Sequence, residues 1–138
     1  MKTKNVRVFA LLLGILTLSA CASSNGVQPS AAIEPASLIG EYGGTWVQHH
    51  HVGVHGPFWV EIRWVDGSLV VGEAEIVQLY KTSCRFRGKF ERETLVFGCV
   101  IAGTFTIFEL KWDGRQFRGP SHGGTDWSHR DIVLNKRK

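Results

Sequence analysis

Two Asp-Gly pairs, Asp66-Gly67 and Asp113-Gly114, constrain the fold of this chain more than any other feature of its sequence. Each pair follows a run that alternates between apolar and polar residues, which is typical of β-strands with one buried face. Asp-Gly is a strong signal for a two-residue hairpin turn, because both residues tolerate positive φ. The sequence therefore predicts two antiparallel hairpins, at 58–77 and 104–119.

In the first hairpin, the leading strand is predicted to bury one face that carries Phe58, Val60, Ile62 and Trp64. Glu61 and Arg63 alternate with these side chains and are expected on the outer face. The return strand places its apolar residues on the same buried face only if it contains an extra residue. A β-bulge near Gly72 would supply this residue and turn Ala74 and Ile76 inward.

A third hairpin is expected between these two, with strands at 81–90 and 95–101 around the polar segment 91–94. Strands at 42–48 and 130–136 complete a set of seven or eight. Short antiparallel strands joined by hairpins form up-and-down meanders, and closure of such a sheet removes its exposed edges. We therefore predict a single small all-β domain, a closed antiparallel barrel, with a β-sandwich as the alternative.

The first predicted strand contains Gly40-Glu41-Tyr42-Gly43-Gly44-Thr45-Trp46 and is followed by a hairpin. This segment resembles the Gly-x-Trp first strand of calycin barrels such as lipocalins and avidins. The resemblance covers one strand. It implies a small antiparallel barrel, in agreement with the hairpin pattern.

The N-terminus has the pattern of an export signal, since three basic residues precede an apolar run at 8–18. This run is shorter than the roughly 20 residues that a membrane-spanning helix needs. The segment Leu18-Ser19-Ala20-Cys21 then resembles the lipobox of bacterial lipoproteins, in which signal peptidase II cuts before a cysteine that carries lipid. The alternative is an ordinary signal that is cut at Ala20 or Ala22.

The lipobox resemblance implies that residues 1–20 are removed and that Cys21 becomes a lipidated first residue. Because Ala22, not Asp, follows this cysteine, we expect anchoring in the outer membrane, facing the periplasm. Residues 21–37 are predicted to hold the anchor and a flexible tether, since they are rich in Ala, Ser and Pro and lack aromatic residues. The folded β domain is predicted to span 38–138.

Removal of the signal also removes the basic excess of the chain. Of 16 basic and 12 acidic residues, three basic residues lie in the signal, so 13 basic and 12 acidic residues remain. A nucleic-acid-binding domain would keep a basic stripe. We therefore expect no nucleic-acid partner, and expect contacts with the membrane through the anchor and with a protein or another envelope ligand.

Cys84 and Cys99 are predicted to form a disulfide, because disulfides persist in an exported protein and these two cysteines remain once Cys21 carries lipid. A mirror pairing about Glu91-Arg92 would place them opposite each other. The same register would set Gly88 opposite Leu95.

The most unusual segment is the His tract, residues 49–55, because clustered imidazoles can bind zinc or copper. On an extended strand His49 and His51 share one side, and a turn could return His55 towards them. His50 would then lie on the opposite face. The sequence predicts a metal site at His49, His51 and His55, and a solvated polar loop is the alternative.

Three further features suggest chemistry less strongly. The residue types of a hydrolytic triad occur at Ser121, His122, Asp126 and His129, without the strand-turn-helix context of a nucleophile elbow. Trp59 is out of phase with the apolar face of its strand, which makes it a candidate for ligand contact. Glu73 and Glu75 could share a strand face, either as an interacting carboxylate pair or as solvated side chains.

These observations predict a non-enzymatic binding or interaction module that is anchored in the outer membrane. The alternative is a carrier of a small ligand or of a metal, with its site at the barrel mouth or in the His tract. An enzyme has the least support, and no cofactor other than zinc or copper is suggested.

The lipidation of Cys21 can be tested by replacing its thiol. We expect the mature protein to partition into detergent and to incorporate labelled palmitate, and Cys21→Ser to abolish both, since several acyl chains hold a protein firmly at a bilayer. The matched control Cys84→Ser should label as the wild type does. Labelling of Cys21→Ser at the wild-type level would contradict the assignment.

Overall fold

A computed structural model describes residues 33–51, 53–123 and 129–138. Cys21 and the rest of the predicted signal and lipobox lie outside the described residues, as does Asp126. A 3₁₀ turn at Pro35–Leu38 precedes the strands. Within the described ranges the strands are β1 Gly40–Gln48, β2 His55–Asp66, β3 Leu69–Val77, β4 Lys81–Glu91, β5 Thr94–Ile101, β6 Thr104–Trp112, β7 Gln116–Gly123 and β8 Arg130–Lys136.

Each strand pairs antiparallel with the next along the chain, and β8 pairs with β1, so the sheet closes into a barrel. The predicted all-β meander and its closure are thereby confirmed, with eight strands. None of the described residues belongs to a helix with the length and apolar character needed to cross a membrane.

The seam between β1 and β8 requires a close approach of two backbones. Gly44 pairs with Leu134 at this seam. A Cβ atom on Gly44 would overlap the carbonyl oxygen of Val133. Glycine is the residue that permits such an approach, because it has no side chain. Gly44 therefore allows β1 and β8 to approach each other this closely.

The interior of the barrel is filled by a stack of phenylalanine rings from β4, β5, β6 and β2. Ring centroids are 4.1 Å apart between Phe86 and Phe97, 4.8 Å between Phe97 and Phe108, and 5.2 Å between Phe108 and Phe58. The space beside this stack, next to Ile76 and the disulfide, is too small for a water molecule. Each buried ring contributes roughly 1.5–3 kcal/mol.

The first hairpin contains the predicted bulge, but the extra residue lies on β2. Ile62 pairs with Gly72, and Trp64 pairs with Val71, so Arg63 is the inserted residue. The expected inward position of Trp64 is wrong, since this side chain is 48% exposed. A bulge in β2 shifts the alternation after Ile62 and leaves that of the return strand intact. Ala74 and Ile76 are buried, as predicted.

The register predicted for β4 and β5 is wrong by two residues. Phe90, not Gly88, pairs with Leu95, and a two-residue turn joins the strands. Its central residues, Arg92 and Glu93, both have positive φ, 48° and 63°. Such angles are uncommon outside glycine, asparagine and aspartate. The residues of this turn are neither Asn-Gly nor Asp-Gly, so the sequence gives no signal for a two-residue hairpin here.

The predicted disulfide between Cys84 and Cys99 forms, but the strands around it do not have the predicted register. The ladder between β4 and β5 ends at the pair Gly88 and Phe97. The disulfide joins the two strands beyond this last pair, with 5.9 Å between the Cα atoms. It therefore holds together a part of the barrel wall where the ladder does not continue.

Removal of this disulfide by Cys84→Ser/Cys99→Ser should lower the free energy of unfolding. The cysteines are 15 residues apart, and closing a loop of this length stabilises a protein by about 3 kcal/mol in the chain-entropy model. Urea unfolding measures the change. Wild-type protein in reducing agent should match the double variant. A double variant as stable as the oxidised wild type would contradict this role.

Tyr42, on β1, connects the 3₁₀ turn to the barrel by a hydrogen bond. Its hydroxyl donates a 2.7 Å hydrogen bond to the carbonyl oxygen of Leu38, and its ring packs edge-on against Phe117 at 5.1 Å. Both Tyr42 and Leu38 are buried. Burial disfavours the phenolate and raises the pKa of Tyr42 from 10.0 to about 12.

The protein should therefore lose stability as the pH rises from 10 towards 12. In this window the unfolded chain has released the Tyr42 proton and the folded chain still holds it, so the unfolded state binds fewer protons and stability falls with pH. Two pH units correspond to about 3 kcal/mol.

Urea midpoints measured from neutral pH to pH 12 test this dependence on two matched variants. Tyr80→Phe, which replaces a ring that is 83% exposed, should keep the whole decline. Tyr42→Phe should lose the part due to Tyr42. Identical pH profiles for the two variants would show that the buried phenol is not responsible.

Candidate functional site

The topology gathers every histidine of the chain at one end of the barrel. This end is formed by the C-terminal ends of β1 and β7 and the N-terminal ends of β2 and β8. We refer to it as the histidine end. The chain has six histidines, and they are His49, His50, His51, His55, His122 and His129.

Two of the three histidines predicted as metal ligands contact other groups of the protein. The Nε2 atom of His49 lies 2.8 Å from a carboxylate oxygen of Asp131. The Nδ1 atom of His55 lies 3.0 Å from the carbonyl oxygen of Gly53. Metal binding by His49, His51 and His55 stays a prediction.

His50, expected on the opposite face from those ligands, instead takes part in a ring cluster. Its centroid is 6.4 Å from that of His129, and the centroid of His129 is 5.7 Å from that of His122. Among the described residues, no three His, Cys, Asp or Glu side chains form a group that could hold a metal ion.

Ser121 and His122 point to opposite sides of the barrel wall. Ser121 is fully buried, whereas His122 is exposed. Successive residues of a strand alternate between faces, so the two side chains cannot form a nucleophile and base pair with each other. Asp126, the third residue type of that pattern, lies outside the described residues.

A groove of about 320 Å³ lies on the outer wall around Trp59. Trp59 points outward on β2, as its phase predicted, between Gly43 on β1 and Glu75 on β3. Four carboxylates and two guanidinium groups are among its lining residues, which include Glu41, Glu61, Glu73, Glu75, Arg63 and Arg137.

The bulge in β2 places Arg63 at the centre of the charged part of this groove. Its guanidinium contacts a carboxylate oxygen of Glu61 at 2.7 Å and one of Glu73 at 3.0 Å. The hydrogen bond and the charge of Glu61 raise the pKa of Arg63. Lys81 contacts Glu75 at 2.6 Å. Three of the four carboxylates are thus held in place by neighbouring cations.

Two residues that line the groove, Arg137 and Trp59, approach Gly43 closely, which is possible because Gly43 has no side chain. A Cβ atom at this position would lie 3.0 Å from Nε of Arg137 and 3.2 Å from Cδ1 of Trp59. The side chains of Arg137 and Trp59 therefore both pack against Gly43. Arg137 follows β8, and its backbone N–H donates a 2.8 Å hydrogen bond to the carbonyl oxygen of Glu41.

Comparison with known proteins finds no match. No family model fits the sequence, and no curated protein or solved structure is significantly similar to it. The site is therefore interpreted from its own chemistry.

The outer face of β5 and β6 differs from the groove, since it is apolar. Phe105 and Val100 are 60% and 56% exposed and pair across these strands. The ring of Phe105 covers Gly98, where an added Cβ atom would collide with it. The barrel wall thus has a charged groove on one side and an apolar surface on the other.

The sequence singled out Trp59 as a candidate for ligand contact but did not identify the groove around it. The spacing of Trp59, Glu61 and Arg63 already indicates one shared outer face, because side chains two residues apart lie on the same side of a strand. The contribution of Glu41 and Arg137 carries no comparable signal. These two residues join the groove only when β8 pairs with β1.

Proposed function

We propose that this protein is a non-enzymatic binding module that is anchored in the outer membrane by lipid on Cys21 and faces the periplasm. The anchor is supported by the lipobox pattern at 18–21 and by Ala22 after the cysteine. The binding role is supported by the groove around Trp59, which is the observation that carries the proposal.

The composition of the groove favours a protein as the ligand. Tryptophan and arginine are the residues that most often dominate the energy of protein–protein contacts. Trp59 supplies a large, half-buried indole surface, and Arg63 and Arg137 flank it. The filled barrel interior favours a site on the outer wall over one inside the barrel.

The charge of the groove further defines the partner. Its four carboxylates exceed its two guanidinium groups. A segment that presents a basic side chain beside an apolar one would pair with the excess carboxylate and cover Trp59. Charge complementarity of this kind raises the association rate, which salt then lowers.

A photo-crosslinking residue introduced at Glu41, in cells that make the protein, tests this proposal. Glu41 is an exposed lining residue, so the substitution leaves Trp59 in place. We expect one discrete adduct with an envelope protein, and we expect it to disappear when Trp59→Ala is added. Loss of one such anchor side chain typically costs about 2 kcal/mol or more of binding energy.

The same residue introduced at Glu109, exposed on β6 beside the apolar face, is the matched control. It should not give the adduct obtained from position 41. An adduct that forms equally from position 109, that survives Trp59→Ala, or that never forms from position 41 would reject the groove as the binding site.

A further inference from the structure

The outer face of β4 carries a row of basic side chains. Arg85, Arg87 and Lys89 alternate with residues that face the interior, and all three are exposed. In the part of the chain that the structure describes, none of the three takes part in an ion pair. Arg63 and Lys81, beside the Trp59 groove, are instead paired with carboxylates. The row therefore presents three positive charges to an external group.

A shallow groove of about 430 Å³ lies beside this row, and Arg87 and Lys89 line one part of it. Its exposed apolar side chains are 37–60% exposed, and they are Leu69, Val96, Phe105 and Ile107. Lys89 pairs with Leu69 on one neighbouring strand and with Val96 on the other, so cations and apolar groups are interleaved. We refer to the groove and the row of three cations as the β4–β6 face.

We propose that the β4–β6 face binds the surface of a lipid bilayer that contains anionic phospholipid. Attachment to a bilayer surface strengthens with the apolar area that is buried and with the attraction of cations to anionic lipids. This face supplies both within one groove. The contact is separate from the Trp59 groove, and it depends neither on the function of that groove nor on lipid at Cys21.

The side chains of the face suit the two layers of a bilayer surface. Phe105 is 60% exposed, and its ring lies against Gly98, where an added Cβ atom would collide with it. Such a ring can enter the boundary between headgroups and acyl chains. The long stems of Arg87 and Lys89 can pack along apolar groups while their charged ends reach the lipid phosphates.

The charge of the face favours a bilayer over a second copy of this chain. Two exposed carboxylates, Glu91 on β4 and Glu109 on β6, border the groove, and Lys111 on β6 adds a fourth cation. The four cations outnumber the two carboxylates, so two copies of this face carry charge of the same sign and repel each other. An anionic bilayer attracts the same face, and each cation near its surface strengthens binding by about fivefold.

This orientation leaves the Trp59 groove open to a partner. In the closed sheet of eight strands, β2 and β6 are four strands apart, so they lie on opposite sides of the barrel. Trp59 is on β2, and Phe105 and Ile107 are on β6. A molecule that rests on its β4–β6 face therefore directs Trp59 away from the bilayer.

An environment-sensitive fluorescent amino acid in place of Phe105, in the full-length chain, tests the proposal. The chain is reconstituted into vesicles of phosphatidylcholine alone or of equal parts phosphatidylcholine and phosphatidylglycerol, with bromine on the acyl chains. Bromine quenches a fluorophore that reaches the acyl region. We expect strong quenching in the anionic vesicles and weak quenching in the neutral ones. The same amino acid in place of Val47, which is 48% exposed on β1, should stay unquenched in both.

Variants of the chain labelled at position 105 separate the charge of the face from the charge of the whole protein. Arg87→Gln/Lys89→Gln should shift the ratio of quenched to unquenched molecules about thirtyfold towards the unquenched state, as two factors of about five. The matched control Lys136→Gln/Lys138→Gln removes the same charge from exposed positions at the end of β8, across the barrel from β4. It should keep the wild-type quenching.

A matched pair of valines tests the apolar part of the face. Val96→Asp, in the groove, should abolish quenching at position 105, whereas Val47→Asp on β1 should not. Thermal unfolding midpoints of all variants should agree with that of the wild type, because surface substitutions change stability little. If quenching falls only in proportion to a lost folded fraction, the proposal fails.

Several results would reject the β4–β6 face as a bilayer contact. They are equal quenching at positions 105 and 47, equal quenching in neutral and anionic vesicles, and equal losses in the two charge variants. Emission at position 105 that shifts with protein density without quenching would identify a second copy as the occupant and would also reject it. Palmitate labelling reports on Cys21 independently, so the absence of quenching in labelled protein would reject the face and leave the anchor standing.

Discussion

The pairing of β1 with β8 is the contact on which the rest of this structure depends. It joins residues 42–48 to 130–136, which lie at opposite ends of the domain. Contacts between segments this distant carry the largest cost in loop-closure entropy. Gly44 makes the pairing possible at close range, and closure removes the two exposed edges that an open sheet would present to other chains.

Closure also determines which surfaces of the barrel are accessible. The phenylalanine stack fills the interior, and the disulfide holds the wall where the ladder between β4 and β5 ends. The candidate sites accordingly lie on the outside and at one end. The same seam brings Arg137 over Gly43 beside Trp59, and it brings His129 beside His50. The arrangement of side chains in the groove and in the histidine cluster is therefore a consequence of the closed barrel.

Local patterns in the sequence predicted the strands well, because a strand with one buried face needs alternation and a tight turn needs permissive residues. They failed where the backbone departs from those rules. The bulge at Arg63 reversed the expected orientation of Trp64. The turn at Arg92 and Glu93 adopts positive φ without glycine and shifted the register by two residues. Neither feature is marked by a characteristic residue type in the segment that contains it.

By itself, the sequence determined an all-β domain with inward alternation, a Cys84 to Cys99 disulfide and an outward Trp59, because each depends on spacing along one or two neighbouring strands. Only the tertiary structure decided which outward side chains become neighbours. Arg137 joins the Trp59 groove from the far end of the chain. The histidines come together for the same reason. Strand pairing and barrel closure bring together residues whose distance in space cannot be read from their separation in sequence.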